Sequence, residues 1–264
     1  MKANWKVALM CLAMVAFVVS CKPKNEPTNN DQQGGGGGTE TPTDYKAPLD
    51  VKDNSVADWD ALDQSKVAVA TIAPEPYWGG LKTLKVYADE VYIYYMLEYD
   101  PTAYKSHTSV DVMHFYFDMD NSDETGGFFD SFADAAADIM TEGPLYDDAG
   151  NALSYMPTPY KWNGNEGSSF QPSERDVKDW EADWQQAGNA IKGESQFVGE
   201  NYIEGRLLVD LIPGTFAETF GFGVDLQQNW NNIGLLPQLD AQGAEGEFIG
   251  RTNMLKVTFN KIAE

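Results

Sequence analysis

The densest chemistry in this chain lies between Asp118 and Glu124, in the stretch DMDNSDETGG. Asp118, Asp120, Ser122 and Glu124 alternate, with Asn121 and Asp123 between them. Hard oxygen donors packed this closely suit Ca²⁺, which takes roughly six to eight of them. The spacing is not that of an EF-hand: Asp123 stands where the invariant glycine belongs, and Phe129 where the bidentate glutamate belongs. The competing reading is a solvated β-turn, in which Asp and Asn bond the nearby backbone and Gly126-Gly127 supply positive φ. Tryptophans form the second set: Trp78 in PYWGG, Trp162 in KWNGNEG, and Trp180 and Trp184 in DWEADW. Polar residues surround each of them, and indole rings pack on the flat C–H faces of sugars, so all four are candidate glycan contacts. For each, burial against a sheet is the alternative. Trp59 and Trp230 read as structural.

Catalytic constellations are missing. There are two histidines, His107 in YKSHTS and His114 in an alternating strand, and no Gly-x-Ser-x-Gly, zinc-ligand or phosphate-loop pattern. Among 41 acids, nothing selects one pair as a glycosidase acid and base. Met96, Met113 and His114 could ligate haem, but methionines at strand spacing read as core, and no haem is expected. The chain is therefore read as non-catalytic, with a hydrolase as the weakest alternative.

The elements that must position these residues are strands. KVAVATIA (66–73) reads as a first strand ended by Pro74 and Pro76. LKTLKVYA, an Asp89-Glu90 turn and VYIYYMLEYD together predict a hairpin over 81–100. In Val110–Met119, one face carries Asp111, Met113, Phe115, Phe117 and Met119, and alternation marks it as the core face. Phe128–Ile139 admits either a short helix or a loop leading to a strand near 137–146. KWNGNEG (161–167) reads as a turn-rich segment. Ser173–Gln186 predicts a helix with Ser173-x-x-Asp176 at its start and Val177, Trp180 and Trp184 on one face. Ile203–Ile212, Phe220–Leu226 and Asn253–Ile262 alternate again. Short alternating strands between Gly, Pro, Asn and Asp clusters indicate an all-β antiparallel two-sheet sandwich with one or two short helices.

At the N-terminus, Lys2 and Lys6 precede an apolar run of 13 residues, Val7–Val19, too short for a bilayer but suited to a signal-peptide core. Val18-Val19-Ser20-Cys21 resembles the lipobox of bacterial lipoproteins, which implies cleavage before Cys21 and lipidation of its thiol. Cys11 is lost with residues 1–20, so Cys21 is the one cysteine of the mature chain and no internal disulfide can form. Residues 21–46, rich in Pro, Asn, Gln and Gly, read as a tether spanning about 25–30 Å as a flexible coil. Residues 47–264 read as one domain. Removing residues 1–20 takes two lysines and no acid from a net charge of −23, leaving −25. That excess argues against nucleic acid and against anionic membrane surfaces as partners, and fits cations, neutral sugars or solubility.

Several segments, taken in order, resemble the family 9 carbohydrate-binding module and its relatives in Bacteroidetes lipoproteins: Ala57-Asp58-Trp59, LKVYADEVYIYYMLEY, and HFYFDMDNSDETGG. Weaker echoes are Ile139–Gly143, Tyr160–Gly164 and Trp230 followed by GLLP (234–237). The resemblance implies a jelly-roll-like sandwich, exposure at the cell surface or in the periplasm, and glycan binding. The expectation is an outer-membrane lipoprotein that binds glycan on a calcium-stabilised sandwich. The alternative is a structural lipoprotein that docks on a surface protein partner and has no sugar site.

Overall fold

The computed structural model describes residues 45–72, 80–102, 110–122, 126, 132–143, 158–162, 184–186, 193–212, 214, 216–228, 231–238 and 252–262. All belong to the second of the two units into which the chain divides, 38–264. Cys21, Trp78, Glu124, Trp180 and Trp230 lie outside the described residues. Twelve strands occur among the described residues: β1 (Ala68–Thr71), β2 (Leu81–Asp89), β3 (Tyr92–Tyr99), β4 (Val110–Asp118), β5 (Ile139–Gly143), β6 (Thr158–Trp162), β7 (Trp184–Gln186), β8 (Gly193–Val198), β9 (Tyr202–Leu208), β10 (Thr219–Gln228), β11 (Asn231–Leu236) and β12 (Leu255–Asn260).

They form an all-β, two-sheet sandwich. The first sheet runs β1-β2-β3-β9-β8 and the second β7-β6-β5-β4-β10, with every neighbour antiparallel. The far edge of β10 takes β12 along its first half and β11 along its second. β12 also joins the sheets, through a short parallel pairing with β2 at Phe259↔Ala88 and Asn260↔Asp89.

The hairpin β2–β3 forms as its alternation predicts, and Asp89 supplies the turn by accepting the N–H groups of Val91 and Tyr92 at 2.8 Å each. Between the sheets, Leu84, Val86, Ile93, Tyr95 and Leu97 meet Met113, Phe115, Phe117, Phe222 and Val224. The Tyr95 ring lies 4.9 Å from Phe115 and 6.1 Å from Phe222, which fixes the two inner faces against each other. Each such side chain contributes about 1.5–3 kcal/mol by leaving water.

Both outer faces are covered as well. On the second sheet, Phe132, Ala135 and Ala137 pack over Tyr116, Met140, Leu235 and Met254. Phe132 lies so close to β10 that a Cβ on Gly223 would stand 2.3 Å from its ring, so only glycine fits there. On the first sheet, Leu49, Val51, Trp59 and Val67 cover Tyr94 and Met96. Tyr45, which the sequence places in the tether, donates its hydroxyl proton to Asp89 Oδ2 at 2.8 Å and lies 3.0 Å from the Tyr94 hydroxyl.

Of the two readings for Phe128–Ile139, the described residues 132–138 follow the loop that leads to a strand, with Phe132 bridged to Thr252 and the alanines covering a sheet instead of lining a helix. Two local expectations change. Lys161 and Trp162 belong to β6 instead of a turn. Trp184–Gln186 is strand β7 where a helix was predicted; residues 173–183 lie outside the described residues. Among the described residues, short 3-10 turns occur at Ala57–Ala61, Gln64–Lys66 and Val209–Leu211, and Pro101 and Thr102 are α-helical. None of the described helices is long and apolar enough to cross a membrane.

Candidate functional site

The acidic stretch begins where β4 ends. Beyond Asp118 the chain turns through Asn121 at φ 53° and Gly126 at φ 96°. A side chain at Gly126 would collide with the Ala136 carbonyl oxygen at 2.3 Å, so this glycine is required twice over. The turn brings Asp118 and Asp120 to Asp138, the residue just before β5. One carboxylate oxygen from each of the three lies within 4.8 Å of the others. Asp138 Oδ2 accepts the N–H groups of Met119 at 2.8 Å and Asp120 at 3.3 Å. The Ser122 N–H donates to both Asp118 Oδ1 and Asp120 Oδ1 at 3.1 Å.

Asp118 is fully buried, and its Oδ2 has no hydrogen-bond partner. Burial pushes its carboxyl up to about 8, and Asp138 and Asp120 push the same way against the Ser122 N–H and Lys256. Lys256 itself bonds Asn121 Oδ1 at 2.7 Å and pairs with Asp134 at 3.0 Å. Three converging carboxylates with one orphaned buried oxygen form a donor set that fits a hard divalent cation. Of the residues the sequence nominates, the fold brings together Asp118 and Asp120. Ser122 enters as a backbone donor to both carboxylates, and Glu124 lies outside the described residues. Asp138 is absent from the sequence-based set because it stands 18 residues beyond Asp120, between Ala137 and Ile139, where nothing local marks it.

A second constellation crosses the outer face of the same sheet. His114 on β4 is the register partner of both Asp225 on β10 and Glu142 on β5. Its Nδ1 lies 2.6 Å from Asp225 Oδ1 and its Nε2 3.1 Å from Glu142 Oε2. Asp225 Oδ2 also accepts from the Tyr116 hydroxyl at 3.3 Å and the Gln227 amide at 3.2 Å. Tyr116 stacks on the imidazole at 5.4 Å, and the Tyr160 hydroxyl bonds Glu142. Burial opposes a charged imidazole, but the two carboxylates outweigh it and raise His114 to about 9, so it is an imidazolium at neutral pH. Glu142 is held below the usual carboxylate range by that imidazolium. With both ring nitrogens engaged, His114 has none to offer a haem iron, and Met113 points into the core between the sheets. Asp225 and Glu142 escaped the sequence reading because only the strand register brings them to His114.

Of the four candidate tryptophans, Trp162 and Trp184 are cross-strand register partners on β6 and β7, at one end of the second sheet. Trp162 stands two residues along β6 from Tyr160, whose own partners are Gln186 and Met140. Trp59 is fully buried and donates its indole N–H to Glu204 at 2.6 Å, the structural role its sequence context predicts.

Neither a protein-family model nor a curated protein matches the chain. Among solved structures, it is similar to a family 9 carbohydrate-binding module from Caldicellulosiruptor kristjanssonii in complex with glucose. That match has a TM-score of 0.35 and 12% identity, over 83% of this chain and 95% of that one. The same module in complex with cellotriose matches with a TM-score of 0.33 and 12% identity, over 83% and 93%. At this level of likeness, the assignment of the sandwich rests on the strands and their packing.

Proposed function

We propose that this chain is a non-catalytic glycan-binding domain, tethered to the outer membrane through lipidated Cys21 and stabilised by Ca²⁺ at Asp118, Asp120 and Asp138. One observation carries the binding reading: the register pairing of Trp162 with Trp184, two residues along β6 from Tyr160, whose hydroxyl bonds Glu142 beside His114. Sugars are bound by aromatic rings against their C–H faces and by fixed carboxylates or amides against their hydroxyls. Glu142 is suited to the second task. Its side chain is 33% exposed, and His114 and Tyr160 hold it in place, so it would present an anchored acceptor to a hydroxyl group. The motif order shared with the family 9 module supports the same reading. The lipobox-like Val18–Cys21 and the Gly-rich segment after it support the tether.

The test is a glycan array probed in millimolar calcium, followed by titration calorimetry of the strongest hit against W162A, W184A and E142Q. The reading predicts a positive array and losses of tenfold or more in each variant. A blank array, or a hit unaffected by both tryptophan changes, transfers the chain to the alternative of an assembly lipoprotein that docks on a surface protein. Cys21→Ser should release the protein from membranes, and retention there would count against the anchor.

A further inference from the structure

Among the described residues, four buried side-chain polar atoms lack a hydrogen-bond partner. One belongs to Asp118; the others are Glu204 Oε2, Asp58 Oδ1 and the Gln196 amide nitrogen. Two of these three are cross-strand partners, Gln196 and Glu204, and the third, Asp58, is near enough for its charge to act on Glu204, away from the site at Asp118. Glu204 lies on β9 opposite both Gln196 on β8 and Met96 on β3. Met96 is packed under Trp59, whose indole N–H binds the other oxygen of Glu204. Asp58 is the neighbour of Trp59 in its 3-10 turn, and its Oδ2 accepts the Asp50 N–H at 2.9 Å.

Glu204 is wholly buried, and the charges that act on it to oppose ionisation are all acidic: Asp58, Asp53 and Asp50. Three described basic groups on this face are committed elsewhere. Arg206 and Lys52 both bind Glu194, Arg206 at 2.7 Å, and Arg206 also lies over the Tyr92 ring at 4.4 Å. Lys85 is directed to Asp60 at 3.7 Å. A buried carboxylate oxygen without a donor is costly, and one facing further acids more so. Two such oxygens near enough for the Asp58 charge to act on Glu204, with an amide that can turn its carbonyl inward, and no basic group among the described residues to neutralise them, make a set of hard oxygen ligands in need of a cation.

We propose that Glu204, Asp58 and Gln196, with Asp50 and Asp53 at the rim, form a second site for a hard divalent cation of the Ca²⁺ class, clamping the N-terminal segment to the outer face of the first sheet. Ca²⁺ accepts irregular ligand sets from carboxylates and amide carbonyls together, and suits this mixture better than Mg²⁺, which demands a near-ideal octahedron.

The test is calcium titration calorimetry of the full-length chain, paired with terbium luminescence excited through tryptophan, because Trp59 touches the proposed ligand. E204Q should bind one equivalent of calcium fewer than the parent and lose part of the sensitised terbium signal. D118N/D120N should keep that signal, which separates this site from the one at the end of β4. D58N, at a less buried position, should weaken the same equivalent at least tenfold and serves if E204Q does not fold. If E204Q or D58N binds calcium with the parent's stoichiometry and affinity, the pocket holds a protonated Glu204 and water, and the proposal is overturned.

Discussion

His114 gives the sharpest prediction, because its surroundings fix both the sign and the pH window. In the folded chain the imidazolium is buried between Asp225 and Glu142 and titrates near 9, whereas in the unfolded chain it titrates near 6.5. At about 1.4 kcal/mol per pH unit, that difference corresponds to about 3 kcal/mol of folding stability. A folded-state value raised above the unfolded one means the contribution is complete below pH 6.5, declines as pH rises, and is gone above about 9. His114→Gln keeps a side chain that can hydrogen-bond but removes the charge, leaving Asp225 buried beside Tyr116 and Gln227 alone. Removing one partner of a buried ion pair costs about 3–5 kcal/mol. Urea denaturation of parent and variant at pH 6 should therefore differ by about 3 kcal/mol or more, and at pH 9.5 by roughly 3 kcal/mol less than at pH 6. An equal difference at both pH values would show that the imidazole acts by packing on Tyr116 and carries no charge in the folded chain. H114Q combined with D225N should recover much of the loss at pH 6, since the uncompensated carboxylate is then gone.

Three further outcomes follow from the geometry. Asp118→Asn removes a buried carboxylate with an orphaned oxygen, so in EDTA the variant should melt at or above the parent's temperature, while in calcium it should lose the share of the temperature rise that this site supplies and keep only the share that Glu204→Gln removes; a variant with the parent's full rise refutes the site. Gly223→Ala drives a methyl group into the Phe132 ring and should cost about 1–3 kcal/mol by denaturation; Phe132→Ala in the same chain should cancel that cost, and unchanged additivity would contradict the contact. Tyr45→Phe removes the hydroxyl that bonds Asp89 and Tyr94 and should cost about 1 kcal/mol, with faster proteolysis near residue 45 as the readout; equal cleavage rates would show that Tyr45 does not fasten the segment.

Strands with strict alternation were legible from the chain. Leu81–Asp100 and Val110–Asp118 declare their inner faces by period, and the inner faces are where Leu84, Val86, Phe115 and Phe117 are found. Period alone says nothing of what covers the opposite face, and here both outer faces are covered by non-strand segments. That is why Tyr116, Phe132 and Met254 form a second cluster that alternation could not foresee. Short strands failed for a related reason: Trp184–Gln186 and Thr158–Trp162 are too brief for a period to emerge, and their acidic, Gly-rich flanks resemble helix starts and turns. The candidate site divides the same way. Asp118 and Asp120 stand two residues apart in sequence and were legible, but Asp138, Asp225 and Glu142 come from register across strands, and no local signal exists for them.

The buried acids give this fold its character. Asp89, Asp118, Glu204 and Asp225 are all nearly inaccessible to water in a chain with 18 basic residues against 41 acids. Asp89 is stabilised by two backbone N–H groups and a tyrosine hydroxyl, and Asp225 by an imidazolium with two further donors. Both therefore have their hydrogen-bonding capacity met from within the fold, and they need no ion. Asp118 and Glu204 each keep an oxygen that no protein group reaches. They sit where a loop or terminal segment crosses a sheet, Asp118 under the turn that leaves β4 and Glu204 under the segment that follows Tyr45. On the proposed reading, these unmet carboxylates, at the end of β4 and on the covered face of β9, make segment docking the step that free calcium controls. The inner core should accordingly be indifferent to calcium, and the segments on the outer faces should loosen first when it is withdrawn.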